Sequence, residues 1–161
     1  MPPTQIQNEN HAQLTTAAHC AEQGDFEGAI VQLKGLIEAQ PRHEVAIGML
    51  AGIYAQINMH DHAIPHFHKV LEINPGNVLA RFQLGLAQLG SGQPGMAVET
   101  WKPALKTQDD FLSRFYSALA LMQIHRTGEA HTLLREAEKL MPKNHVLYPQ
   151  LLTLLTSADP S

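Results

Sequence analysis

Small and apolar positions return along this chain at intervals of 34, 34 and 33 residues. The clearest markers are Ala29, Ala63, Ala97 and Ala130. Four residues after each stands a large apolar side chain: Leu33, Phe67, Trp101 and Leu134. Twelve residues before each stands a small one: Ala17, Ala51, Gly85 and Ala118. Five before each, Gly24, Asn58, Gly92 and His125 occupy a tight-turn position. Pro41, Pro75 and Pro142 close three units, and Asp109 stands where the remaining proline is due. This period reads as two helices joined by a turn in every unit. Small residues let the two helices approach, and the large one fills the space beside that contact. The proline then stops the second helix.

The pattern predicts first helices over 10–22, 44–57, 78–90 and 111–124, and second helices over 26–39, 60–73, 94–107 and 128–140. The units are 10–43, 44–77, 78–110 and 111–144. Residues 1–9 are polar, contain two prolines and are expected to form a disordered arm. A ninth helix, over 145–157, carries Val146, Leu147, Leu151, Leu152, Leu154 and Leu155. Capping the last unit is the first expectation for it, homodimer formation the second; residues 158–161 form a tail. Pro65 and Pro103 fall past the first turn of second helices, where each removes a helical hydrogen bond, whereas Pro94 suits a helix start. Asp109 and Asp110 are expected to cap the helix that follows them.

The frame resembles the tetratricopeptide repeat family, most clearly in MLAGIYAQINMHDHAIPHFHKVLEINPGN, and the resemblance covers about residues 10–144. It implies an all-α, right-handed superhelix of four helical hairpins plus a C-terminal capping helix, and a role in binding another protein. It also implies that first helices line a concave groove. The groove-facing residues would be His11, Leu14, Thr15, Ala18 and Glu22, then Val45, Gly48, Met49, Gly52 and Gln56. In the third unit they would be Leu79, Phe82, Gln83, Leu86 and Leu89, and in the fourth Leu112, Phe115, Tyr116, Leu119 and Met122. The family's carboxylate clamp, which grips acidic chaperone tails with lysine, arginine and asparagine, is missing from these positions. The third and fourth sets are apolar. Leu79, Phe82, Leu86, Leu89, Leu112, Phe115, Tyr116, Leu119 and Met122 are therefore the candidate peptide-binding residues. Arg-Phe recurs one repeat apart, as Arg81-Phe82 and Arg114-Phe115. Gly48 and Gly52 leave room for a bulky anchor from a partner. Leucine and phenylalanine at helical spacing are more often core than ligand contact, so filling by the chain's own ends or by a second copy is the competing expectation.

The chain has 161 residues, with 11 Lys and Arg against 15 Asp and Glu, a net charge of −4. That balance argues against nucleic acid, whose phosphates need clustered positive charge. One cysteine, Cys20, excludes an intrachain disulfide and is expected to be a small buried hydrophobe of the first helix. The context TAAHC faintly resembles a lipoprotein cleavage site, but the preceding NENHAQLTT lacks the apolar stretch of a leader. No run of 18 apolar residues occurs, so no membrane span is expected and a bacterial cytoplasm is the default address.

The stretch HDHAIPHFH places His62 and His66 four apart, with His60 and His68 beside them. Such a cluster could hold a metal or sense pH near 6. It lacks completing ligands, so solvated histidines are favoured and no metal or cofactor is expected. Phosphate loops, nucleophile elbows and histidine-glutamate zinc motifs are absent, and an enzyme is not expected. A protein-binding adaptor or scaffold is the favoured function. The alternative is a secretion chaperone of the type III translocator kind, which ARFQLGLAQLGSGQPGMAV resembles, although that group usually has three units and more acidic chains.

Overall fold

The structure is a computed structural model that describes residues 3–107 and 110–157, with side chains from residue 8 onward. Among these residues there are nine α-helices and no strand: α1 (Pro3–Glu22), α2 (Phe26–Ala39), α3 (Glu44–Gln56), α4 (His60–Ile73), α5 (Val78–Gly90), α6 (Pro94–Trp101), α7 (Phe111–Gln123), α8 (Thr127–Leu140) and α9 (Tyr148–Ser157). No helix among them is long and apolar enough to cross a membrane. The chain divides into two compact units, Met1–Gln83 and Leu84–Ser161.

Each hairpin turn is built the same way. Gly24, Asn58, Gly92 and His125 have φ of 79°, 59°, 74° and 60°. The left-handed residue reverses the chain, and two bonds close the helix end as a Schellman motif. The longer bond joins Asp25 N to Cys20 O, Met59 N to Tyr54 O, Gln93 N to Gln88 O and Arg126 N to Leu121 O, all at 2.8–2.9 Å. The shorter joins Gly24 N to Ala21 O and its three counterparts, at 3.0–3.1 Å. The residue just before α3, α5 and α7 is equally regular. His43 Nδ1, Asn77 Oδ1 and Asp110 Oδ1 each accept the N–H three residues on, from Ala46, Ala80 and Ser113. They satisfy a free amide at the start of α3, α5 and α7. Asp110 is thus a cap as expected; Asp109 lies outside the described residues.

The marker alanines Ala29, Ala63, Ala97 and Ala130 are all buried, as are Leu33, Phe67, Trp101 and Leu134. The small position is an alanine wherever its partner is Leu or Phe, and a glycine beside tryptophan. A Cβ at Gly85 would collide with the Trp101 ring, so only glycine admits the larger side chain. Gln88, also buried, accepts from Thr100 Oγ1 at 2.7 Å across the same hairpin.

Three helix boundaries differ from the sequence reading by three residues or more. Helix α1 begins at Pro3, so residues 3–9 are helical and not a disordered arm. The second helix of the third unit stops at Trp101 instead of 107. Pro103 has no N–H to donate, and the chain continues as a short 3₁₀ turn, Ala104–Lys106. The last helix starts at Tyr148 rather than 145, because His145 Nδ1 accepts from Leu147 N at 3.2 Å and holds a turn there. Its Leu151 is fully buried, whereas Val146 and Leu152 are exposed. Finally, Cys20 is half-buried.

Pro65 does lie inside α4, as the sequence indicates. Its replacement by alanine restores a backbone donor at an exposed position. Part of the gain is offset by a freer unfolded chain. Pro65→Ala is expected to stabilise the fold by roughly 1–2 kcal/mol, read as a rise in the midpoint of chemical denaturation.

Candidate functional site

Gly48, Met49 and Gly52 lie three, four and seven residues after Val45, so the four share one face of α3. Two of the four lack a side chain. Opposite them, Leu79 and Gln83 share a face of α5, and the buried Phe67 and Val70 of α4 form the floor. Together with Glu44, Asn77 and Ala80 these residues line a pocket of about 360 Å³. That is the low end of the roughly 300–1,000 Å³ usual for ligand sites. A Cβ at Gly52 would meet nothing within 4 Å, and one at Gly48 would only touch Val70 at 3.7 Å. The cavity therefore exists because these two positions are glycines. Val45 and Leu79, at 56% and 68% exposed, put apolar surface at the rim of the cavity.

The polar end of the pocket is tightly organised. Glu44 opens α3, where the helix dipole favours a negative charge. Its Oε1 accepts from Asn74 Nδ2 at 2.9 Å and from Asn77 Nδ2 at 2.8 Å. A second, more polar depression of about 340 Å³ is lined by Asn10, His11, Leu14, Gln40 and His43.

The nine residues named from sequence separate into three kinds. Leu79 is exposed and lines the pocket, and Phe82 is half-buried on the same helix. Leu86, Leu89, Leu112, Tyr116, Leu119 and Met122 are half-buried in the compact unit Leu84–Ser161. Phe115 is fully buried and belongs to the core. The reason is the position of α7, which packs on both α6 and α8. Ser113, Arg114, Phe115, Ser117, Ala118, Ala120 and Leu121 are all enclosed, so little of this helix is left outward.

The repeated Arg-Phe pair also has a structural origin. Arg81 donates from Nη2 to the Pro75 carbonyl at 2.8 Å. Arg114 does the same for its own preceding loop, with Nη2 on the Leu105 and Thr107 carbonyls and Nη1 on that of Asp110. Its Nε meets Glu136 Oε2 at 3.1 Å. Both arginines clasp the joint before their helix.

His62 and His66 share a face, but both rings lie against Tyr54, at 5.2 and 5.6 Å between centroids. His66 Nδ1 is 2.7 Å from the His62 carbonyl. Among the described residues no three histidine, cysteine or carboxylate side chains come together to hold a metal.

Sequence reasoning found the room at Gly48 and Gly52 but missed Glu44, Asn74 and Asn77. The available signal was the capping position shared by His43, Asn77 and Asp110, which places Asn77 against the start of its own unit's first helix.

No protein-family model matches the chain, and no curated protein matches it in sequence. Solved structures do resemble it. MamA MSR-1 superposes with a TM-score of 0.75 and 25% identity, over 81% of this chain and 76% of that one. Another MamA crystal structure gives 0.80 at 17% identity, over 92% and 85%. YrrB, described as a TPR protein with an unusual peptide-binding site, gives 0.73 at 17% identity, again over 92% and 85%.

Proposed function

We propose that this chain, whose fold is that of the solved tetratricopeptide-repeat protein YrrB, is a protein-binding adaptor or scaffold rather than an enzyme, and that the α3–α5 pocket takes an apolar anchor from a helical or extended segment of its partner. The observation that carries this reading is the cavity that Gly48 and Gly52 leave beside the exposed Val45 and Leu79. Burying a leucine or aromatic side chain there would contribute about 1.5–3 kcal/mol, the scale of an interface hot spot. The half-buried Leu112, Tyr116, Leu119 and Met122 offer a further apolar surface for the same role.

Gly52→Leu tests this directly. A Cβ at this position meets nothing within 4 Å, and leucine favours a helix interior by up to about 1 kcal/mol over glycine. The variant is expected to melt at or above the wild-type temperature and to lose at least tenfold in affinity for the partner. The check is affinity capture from an extract of the source organism with the two proteins side by side. A partner held equally by both contradicts the pocket.

A further inference from the structure

We infer that the pocket between α3 and the first turns of α5 selects a basic amphipathic peptide segment: one bulky apolar side chain with lysine or arginine beside it. This rests on the pocket's reading as a binding site and adds the charge of what binds.

Glu44 is the one charged residue among those that line the pocket. Both amides that bond it, from Asn74 and Asn77, fall on Oε1. That fixes the direction of the carboxylate and leaves Oε2 as the acceptor a bound segment would meet. Asn77 is itself anchored, because its Oδ1 accepts from Ala80 N at 2.8 Å. A carboxylate already held in place loses little side-chain freedom when a cation arrives. The apolar walls beside it, Val45, Met49 and Leu79, weaken dielectric screening and strengthen that attraction.

The surrounding field has the same sign. Residues 1–83 carry eight Asp and Glu against four Lys and Arg, while residues 84–161 carry seven of each. The whole net charge of −4 therefore belongs to the half that holds the pocket. An acidic segment would be repelled by this field and by Glu44, and a neutral one would leave the carboxylate unanswered.

The test is a phage-displayed library of random peptides, panned in parallel against the full chain, Glu44→Gln and Gly52→Leu. Glutamine keeps the acceptor for both asparagine amides, removes the charge and puts an NH2 donor where Oε2 stood. Peptides enriched on the wild type are expected to carry Lys or Arg next to a bulky apolar residue. Synthetic copies should bind Glu44→Gln about fivefold more weakly, the scale of one half-exposed ion pair, and Gly52→Leu not measurably. Enriched peptides with neutral or acidic flanks, or equal affinity for Glu44→Gln, overturn the charge selection and leave the pocket standing. Equal affinity for Gly52→Leu, an absence of enrichment, or a wild-type dimer that Gly52→Leu dissolves, overturns the pocket reading and this inference with it.

Discussion

Gly85→Ala is expected to destabilise the protein by about 2–3 kcal/mol, although the same change in an ordinary helix interior stabilises by up to about 1 kcal/mol. The added methyl would collide with Nε1, Cε2 and Cζ2 of Trp101. That ring is fully buried, and a close-packed interior gives way only at a cost. Trp101→Ala alone removes the ring and leaves a cavity, at about 3–5 kcal/mol. Trp101→Leu copies the residue that other units place at this point, Leu33 and Leu134. The two changes should therefore be strongly non-additive: Gly85→Ala should cost little once leucine replaces the tryptophan. Denaturant unfolding of the two single variants and the double variant measures this coupling. Additive losses would show that Gly85 is not kept for the ring.

Arg114→Leu is expected to cost about 2–3 kcal/mol. Arg114 is 7% exposed and ties three loop carbonyls and Glu136 to α7. The cost stays below that of a fully buried pair because the Glu136 side chain is 46% exposed and regains water. The joint it clasps lacks the closing proline of the other units, so losing the guanidinium should also loosen it locally. Faster trypsin cleavage after Lys106, measured beside the denaturation midpoint, separates this local effect from global loss. Arg114→Lys should recover little, since an ammonium cannot reach carbonyls and carboxylate with one planar fork. Unchanged cleavage and stability in Arg114→Leu would mean that the loop is held by other contacts.

The fold was legible because its markers are backbone requirements as much as packing ones. Only a few residue types tolerate a left-handed turn, and Gly24, Asn58, Gly92 and His125 are among them. Only small residues admit a neighbouring helix, which fixed Ala17, Ala51, Gly85 and Ala118. The site was harder to read because period alone does not separate an outward stripe from an inward one on a helix with two packed neighbours. Phe115 occupies a repeat position equivalent to Phe82, yet it is fully buried on α7, which packs on α6 and α8, while Phe82 stays half-buried. Arg114 has the same ambiguity: a charged residue reads as surface until the carbonyls it serves are known. The glycines of α3 were readable as missing volume. The carboxylate beside them was not, because Glu44 is oriented by asparagines 30 and 33 residues away.

The central claim is that the partner enters at α3 and the start of α5. Amide and methyl chemical-shift mapping, with a peptide enriched on the wild-type chain, tests it most directly. The account predicts the largest shifts at Val45, Gly48, Met49, Gly52, Leu79 and Gln83, and none of comparable size in the Gly52→Leu variant. Largest shifts on other faces, with these six residues unmoved, would contradict it.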